Sequence, residues 1–174
     1  IWEGGMSFHG AMLGIIIATF IFSKKHNIKT FFLLDIIACV SPIGIFFGRI
    51  ANFINGELVG KVTNVYWSVV FPKIDNLTRH PSQLYQAFFE GLMMFIILFF
   101  VAKKNPPKMF LSGLFLVLYG SFRTFTENFR TPDAHIGFDL FETLTRGQLL
   151  SFPMIIFGIV LIYLSLRKND EAIS

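Results

Sequence analysis

Apolar residues run almost unbroken through five stretches of the chain, and the charged residues gather between them. A hydrocarbon core of about 30 Å needs about 20 consecutive, mostly apolar helical residues. The stretches near 6–22, 31–54, 84–102, 109–128 and 148–166 approach that length. The pattern predicts an all-α polytopic membrane protein, with about five transmembrane helices in one domain over residues 1–174. Asp35, Pro42 and Arg49 interrupt the second stretch, Glu90 lies in the third, and the fourth passes Phe122 into a polar end. Pro153 falls in the first turns of the fifth, where a missing N–H costs least. Two longer connections, residues 55–83 and 131–146, mix acids with bases. Within the first, residues 65–72 read as a short strand or an interfacial aromatic segment of a small cap.

Basic residues in short loops are retained on the cytoplasmic side. Lys24, Lys25 and Lys29 follow the first stretch, Lys103, Lys104 and Lys108 the third, and Arg167 and Lys168 the fifth. Those segments and the C-terminus are therefore expected in the cytoplasm, with the N-terminus and both long connections on the opposite face. Composition agrees: of 174 residues, 53% are hydrophobic and 15% charged, against about a quarter charged in soluble domains. Mean hydropathy of +0.62 excludes a disordered or collagen-like chain. The net charge of +4 is scattered in short clusters without a basic stripe, so the expected partner is a bilayer and not nucleic acid. The single cysteine, Cys39, permits no intrachain disulfide and reads as a packing residue. The chain opens on Ile1-Trp2-Glu3 with no signal-peptide pattern, which suggests a sequence incomplete at its N-terminus. No internal repeat supports an inverted-repeat transporter.

Arg or Asp at the bilayer centre costs about 2.5–3.5 kcal/mol on insertion scales, so several together demand compensation. Tyr119, Arg123, Glu127 and Arg130 are spaced four, four and three apart. A helix would gather all four within an arc of about 80°. Arg49 and Asn52 stand one turn apart near the end of the second stretch. Two arginines from two helices can converge there, and a guanidinium fork matches phosphate oxygens while staying charged at any working pH. Each arginine alone reads equally well as a snorkelling or ion-paired residue, Arg123 with Glu127 for example. Together with Asn52, Glu57 and Tyr119, they favour a phospholipid headgroup site. His9 opens the first helix, where the positive end of the dipole favours the neutral imidazole that a base requires; an interfacial hydrogen-bonded residue is the plainer alternative. Gly10, Gly14 and Ala18 have the spacing of a close helix contact. Asp35 and Glu90 are expected protonated or paired inside the bundle. Ser82 is placed to cap the third helix, with Tyr85 at the interface and His80 beside them as an alternative headgroup ligand. The histidines show no metal-ligand spacing.

The run Gly48-Arg49-Ile50-Ala51-Asn52-Phe53-Ile54-Asn55-Gly56-Glu57, continuing to Gly60, resembles the signature of the bacterial prolipoprotein diacylglyceryl transferases. Four further stretches agree. They are Gly5-Met6-Ser7-Phe8-His9-Gly10, His80-Pro81-Ser82-Gln83-Leu84-Tyr85, Tyr119-Gly120 with Arg123, Glu127, Phe129-Arg130 and Pro132-Asp133, and Gly147-Gln148-Leu149-Leu150-Ser151-Phe152-Pro153-Met154. The resemblance covers nearly the whole chain. Ala51, Lys61 and Gln86 depart from the Gly, Arg and Glu common in that family. Family members carry seven spans, so the resemblance implies that this chain begins at the third.

It also implies the reaction: the diacylglyceryl group of phosphatidylglycerol passes to the lipobox cysteine thiol of a preprolipoprotein signal peptide, giving a thioether and glycerol phosphate. The site lies on the extracytoplasmic side of the bacterial cytoplasmic (inner) membrane. On that resemblance His9 is the candidate general base, and Arg49 and Arg123 stabilise the departing phosphate. Asn52, Glu57 and Tyr119 orient the substrates, Glu127 and Arg130 position Arg123, and Gly60 belongs to the lipid site. No metal or cofactor is implied. Two other classes remain open at this point. A transporter lined by Asp35, Glu90, Arg49 and Arg123 predicts solute flux with no covalent product. A non-catalytic lipid-binding subunit predicts phosphatidylglycerol binding that survives loss of His9.

Overall fold

The computed structural model describes the backbone of residues 8–131 and 145–173, with side chains for all of these except residues 8, 9, 11, 12, 146 and 168–173. Helix α1 (Phe8–Lys25) turns directly into α2 (Thr30–Asn55). A third rod starts as α3 (Ser82–Gln86), widens into a π-helical segment (Ala87–Met93) and continues as α4 (Met94–Ala102); α5 (Phe110–Glu127) and α6 (Arg146–Ile173) follow. Between α2 and α3 the chain forms a small cap, in which β1 (Val69–Val70) pairs antiparallel with β2 (Thr78–Arg79), Val69 facing Arg79. Only that pair of residues from 65–72 forms strand; Tyr66 and Trp67 sit in a turn before it, exposed.

The molecule is thus a helical membrane protein, and among the described residues three rods, Thr30–Asn55, Ser82–Ala102 and Gly147–Arg167, are long and apolar enough to cross a bilayer. α1 and α5 have 18 residues each, and α5 ends on Arg123, Thr124, Thr126 and Glu127. α2 runs unbroken through Asp35, Pro42 and Arg49. Its 26 residues correspond to about 39 Å at 1.5 Å per residue. Asp35, Ala38 and Pro42, three and four apart, form its buried stripe, so the proline's missing N–H is spent inside a helix that packing holds.

The closest helix contacts use glycines. A Cβ on Gly91 would come within 2.7 Å of Phe46, which presses the π-helical segment onto α2. Between α5 and α6, a Cβ on Gly113 would meet the Gly158 carbonyl oxygen at 2.7 Å, and a Cβ on Gly158 would meet that of Gly113 at 2.7 Å. Among the described residues, Gly14 and Ala18 of α1 do not play this role. Gly10, Gly14 and Ala18 are exposed, and Gly14 faces open space. α1 turns Thr19 and Ser23 inward instead, and the Ser23 hydroxyl shares a 2.7 Å hydrogen bond with Thr30 at the start of α2. Met94, Leu98 and Tyr119 form the buried core, with Cys39 packed against it.

The lysine-bearing turns meet at one end. Ser165 of α6 donates to the Lys108 carbonyl at 2.7 Å. The Lys29 side chain, through hydrogen bonding and like charge, holds the Lys108 amine below its ordinary pKa. Asp35 anchors the same end of α5: it accepts hydrogen bonds from Met109 N at 2.9 Å, Ser112 N at 2.8 Å and Ser112 Oγ at 2.5 Å. The two backbone N–H groups are orphan donors of the α5 N-terminus, so Asp35 acts as a cap supplied by another helix. The cap and the far ends of α2 and α5 form the opposite end.

Candidate functional site

At the end away from the lysines, α2 presents Arg49 and Asn52, the π-helical segment presents Glu90, and the last turn of α5 presents Arg123, Thr126 and Glu127. Arg49 Nη2 donates to Glu90 Oε2 at 3.2 Å. Arg123 Nη1 lies 3.8 Å from Glu90 Oε1, and the Thr126 hydroxyl donates to the same oxygen at 2.9 Å. Arg123 Nη2 is 2.8 Å from Glu127 Oε2, a charge contact without hydrogen-bond alignment. Glu90 is fully buried, whereas the side chains of Arg49 and Arg123 keep 18% and 12% exposure. Two guanidiniums from two helices are therefore held on one carboxylate at the bottom, with their outer sides reaching the surface. Desolvated charges need this pairing, because an uncompensated buried charge costs several kcal/mol.

Glu90 is the residue that the sequence-based site omitted; its signal was a lone acid in an otherwise apolar stretch. The wide turn that carries it has no signature in the apolar pattern.

The rim follows from the way α2 ends. Gly56 adopts φ +71°, its N–H bonds to Phe53 O at 3.1 Å, and Glu57 N bonds to Asn52 O at 2.9 Å, the paired closure of a Schellman motif, for which glycine is the favoured residue. This folds Glu57 back over the helix, where it accepts from Asn52 Nδ2 at 2.9 Å and from Asn55 Nδ2 at 3.4 Å.

The chain then crosses the end of α5. Gly60 and Arg130 form an antiparallel bridge, Lys61 N donates to Phe129 O at 2.9 Å, and Thr131 N donates to Val59 O at 3.2 Å. A Cβ on Gly60 would stand 2.2 Å from His80 O and 2.8 Å from Phe129 O, so only glycine fits this crossing. Arg130 consequently leaves the expected four-residue ladder: α5 stops at Glu127, one short turn follows, and Pro132 in the sequence disfavours further helix. Its side chain is buried at the crossing. Tyr119 sits two turns below Glu127, buried in the core with its ring stacked on Phe115 at 5.9 Å.

Arg79 fastens the cap, donating to the Gly60 carbonyl at 3.1 Å and to Asp75 Oδ2 at 2.5 Å. That hydrogen bond from Arg79 holds the Asp75 carboxyl below the usual carboxylate range. His80 Nδ1 lies 3.2 Å from the Tyr85 hydroxyl, which also accepts from Trp67 Nε1. Their rings pack with Phe129 at 5.3 and 5.4 Å, joining cap to bundle. Ser82 does not cap α3. Its hydroxyl donates to Leu58 O at 3.1 Å, and Pro81 occupies the capping position without a side-chain bond. His9 lies in the first turn of α1, and its side chain falls outside the described residues, as does most of the connection 131–146. Among the described residues, no group of three or more His, Cys, Asp and Glu side chains is placed to hold a metal ion.

Two fixed cations, partly exposed and braced by buried carboxylates, suit an anion that approaches from the rim. Phosphate oxygens match guanidinium forks bidentately, and pre-organised charge at that point stabilises negative charge that grows during reaction.

A family model described as prolipoprotein diacylglyceryl transferase matches residues 1–164. A phosphatidylglycerol–prolipoprotein diacylglyceryl transferase of Rickettsia bellii is 57% identical over 164 residues, 92% of this chain and 62% of the relative. Proteins of the same name from Teredinibacter turnerae and Wolbachia pipientis wMel are 50% and 49% identical, each over 99% of this chain and over 60% and 68% of their own lengths. The chain thus spans about three fifths of the length of the first two of these curated relatives.

Proposed function

The chain belongs to the prolipoprotein diacylglyceryl transferase family, and from that premise we propose that it forms the phosphate-binding and reacting part of an enzyme that lipidates secreted proteins. The substrates are phosphatidylglycerol and a preprolipoprotein signal peptide with a lipobox cysteine. The observation that carries the reading is the convergence of Arg49 and Arg123 on buried Glu90.

In this reading the cysteine thiolate attacks the glyceryl carbon attached to phosphate oxygen. A C–S bond forms as the C–O bond breaks, and glycerol phosphate leaves with the bonding electrons. A thiol has a pKa of about 8.5, so a base must take its proton, and neutral His9 at a helix start is assigned that role. The thiol proton then neutralises the departing phosphate. Arg49 and Arg123 take up the negative charge that grows on phosphate. Glu127 orients Arg123, Arg130 acts through the crossing with Gly60, and Asn52, Glu57 and Tyr119 shape the pocket around the headgroup and thiol.

The same reading makes the whole chain one transmembrane domain with five spans and an extracytoplasmic cap. It places the site on the outer side of the bacterial cytoplasmic membrane and the C-terminus inside. The lysine turns gathered at one end and the arginine site at the other support that orientation.

The test is transfer by membranes carrying the protein at its full natural length, supplied with labelled phosphatidylglycerol and a lipobox peptide bearing Cys or Ser. Label is expected on the Cys peptide alone, with glycerol phosphate released, and His9→Ala is expected to stop transfer while the protein still inserts. A folded protein that binds the lipid without transferring it would move the non-catalytic subunit forward, and solute flux without product would move the transporter forward.

A further inference from the structure

Every buried side-chain polar atom that lacks a hydrogen bond among the described residues belongs to one of four residues: Gln83 Oε1, both amide atoms of Gln86, Arg123 Nη1 and Glu127 Oε2. Arg123 and Glu127 are the site described above. Gln83 and Gln86 extend it along the third rod. With Glu90 they are spaced three and four apart, which sets all three on one helix face, and all three are fully buried. That rod packs against both α2 and α5, so a continuous polar stripe runs from the cap to the two guanidiniums. At the cap end Gln83 Nε2 donates to the Glu57 carbonyl, which pins its side chain and leaves its oxygen unused.

Buried amides are ordinarily hydrogen-bonded, and a group left unpaired is a feature to explain. A neutral amide with both a free donor and a free acceptor complements a hydroxyl, which also has both. It offers an anionic phosphate nothing that the arginines do not already supply. We infer that Gln86, with Gln83 beside it, recognises the hydroxyl groups of the glycerol headgroup and thereby selects the lipid whose phosphate Arg49 and Arg123 hold. The inference rests on the transferase reading and adds the determinant of headgroup choice. A site built to hydrogen-bond a substrate hydroxyl rejects the analogue lacking it, because its own buried polar groups are then stranded.

The experiment compares transfer to the lipobox peptide from phosphatidylglycerol and from phosphatidylpropanol, which keeps the phosphate and loses both headgroup hydroxyls. The full-length protein is expected to prefer phosphatidylglycerol by about 10²-fold or more in kcat/KM. In Gln86→Met, of similar volume, the preference is expected to shrink at least tenfold, chiefly because the phosphatidylglycerol rate falls while the phosphatidylpropanol rate holds. Gln83→Met is expected to shrink it less. A wild-type protein that uses both lipids equally overturns the inference without any variant. So does a Gln86→Met protein that folds and loses both rates in proportion, since the amide would then be a packing group. Transfer from neither lipid by the wild-type protein would instead overturn the transferase reading.

Discussion

Asp35 and Glu90 are both acids inside apolar helices, 8% and 0% exposed, but their partners differ in kind. Asp35 takes its bonds from Met109 N, Ser112 N and Ser112 Oγ, all neutral donors, two of them backbone groups that a helix start would otherwise leave orphaned. Glu90 takes its partners from Arg49, Arg123 and Thr126, two of them charged and partly open to the surface. One acid completes a helix and the other gathers cations. A buried ion pair replaced by apolar groups often costs nothing in stability, so the arrangement at Glu90 is better explained by what the cations do than by what they hold together.

The sharpest way to break this contrast is Glu90→Leu. It leaves both guanidiniums without their shared anion, and stability is expected to drop by about 3–5 kcal/mol, with transfer per folded molecule down about 10²–10³-fold. Denaturation in detergent beside the transfer assay reads both quantities, and full activity in a folded Glu90→Leu protein would end the comparison. Next in size is Gly60→Ala. The added methyl meets the His80 carbonyl oxygen, a backbone atom that cannot rotate aside, and overpacking of this kind costs about 1–3 kcal/mol. Because the clash falls at the bridge to Arg130, transfer is expected to fall along with the melting temperature. Asp35→Ala strands two backbone donors for a cost of about 1–3 kcal/mol, yet the activity of the protein that remains folded is expected to match wild type. Equal loss of turnover at Asp35 and Glu90 would erase the distinction between them.

The smallest effect is a pH dependence in the cap. The Asp75 carboxyl is held below its ordinary pKa of about 3.9 by Arg79. Its contribution is therefore present above that value and is lost as pH falls through the lowered one. Hydrogen exchange at His80 N–H, which bonds to Lys61 O at 3.0 Å, is expected to speed up below about pH 4, after correction for intrinsic rates.

The apolar runs made the five helices legible, and the two lysine-bearing turns that the sequence singled out lie together at one end, beside α6. The helix-face spacing of Tyr119, Arg123 and Glu127 survives in α5. What escaped the pattern depends on contacts between distant segments. Glu90 looks like any isolated acid until α2 and α5 bring Arg49 and Arg123 against it. Arg130 fits the helical spacing but is pulled out by pairing with Gly60, seventy residues earlier in the chain. Gly14 has the same local chemistry as Gly113 and Gly158, and only the position of a facing backbone separates it from them. Ser82 precedes a helix as a cap would, and the Leu58 carbonyl claims its hydroxyl.

The glycine contact between α5 and α6 has a mechanical consequence. With Gly113 and Gly158 laid against each other's carbonyls, the two helices behave as one stiff plate, since sliding or parting them would open a gap that no side chain is present to refill. A second fastening, Gly120 against Ser151 and Ile155, lies farther along the same seam. Arg123 is mounted on that plate and Arg49 on α2, with Glu90 between them at this end of the seam and Asp35 fastening the other end. Any displacement that parts Arg49 from Arg123 would therefore carry α6 along with α5 and would first have to release Glu90.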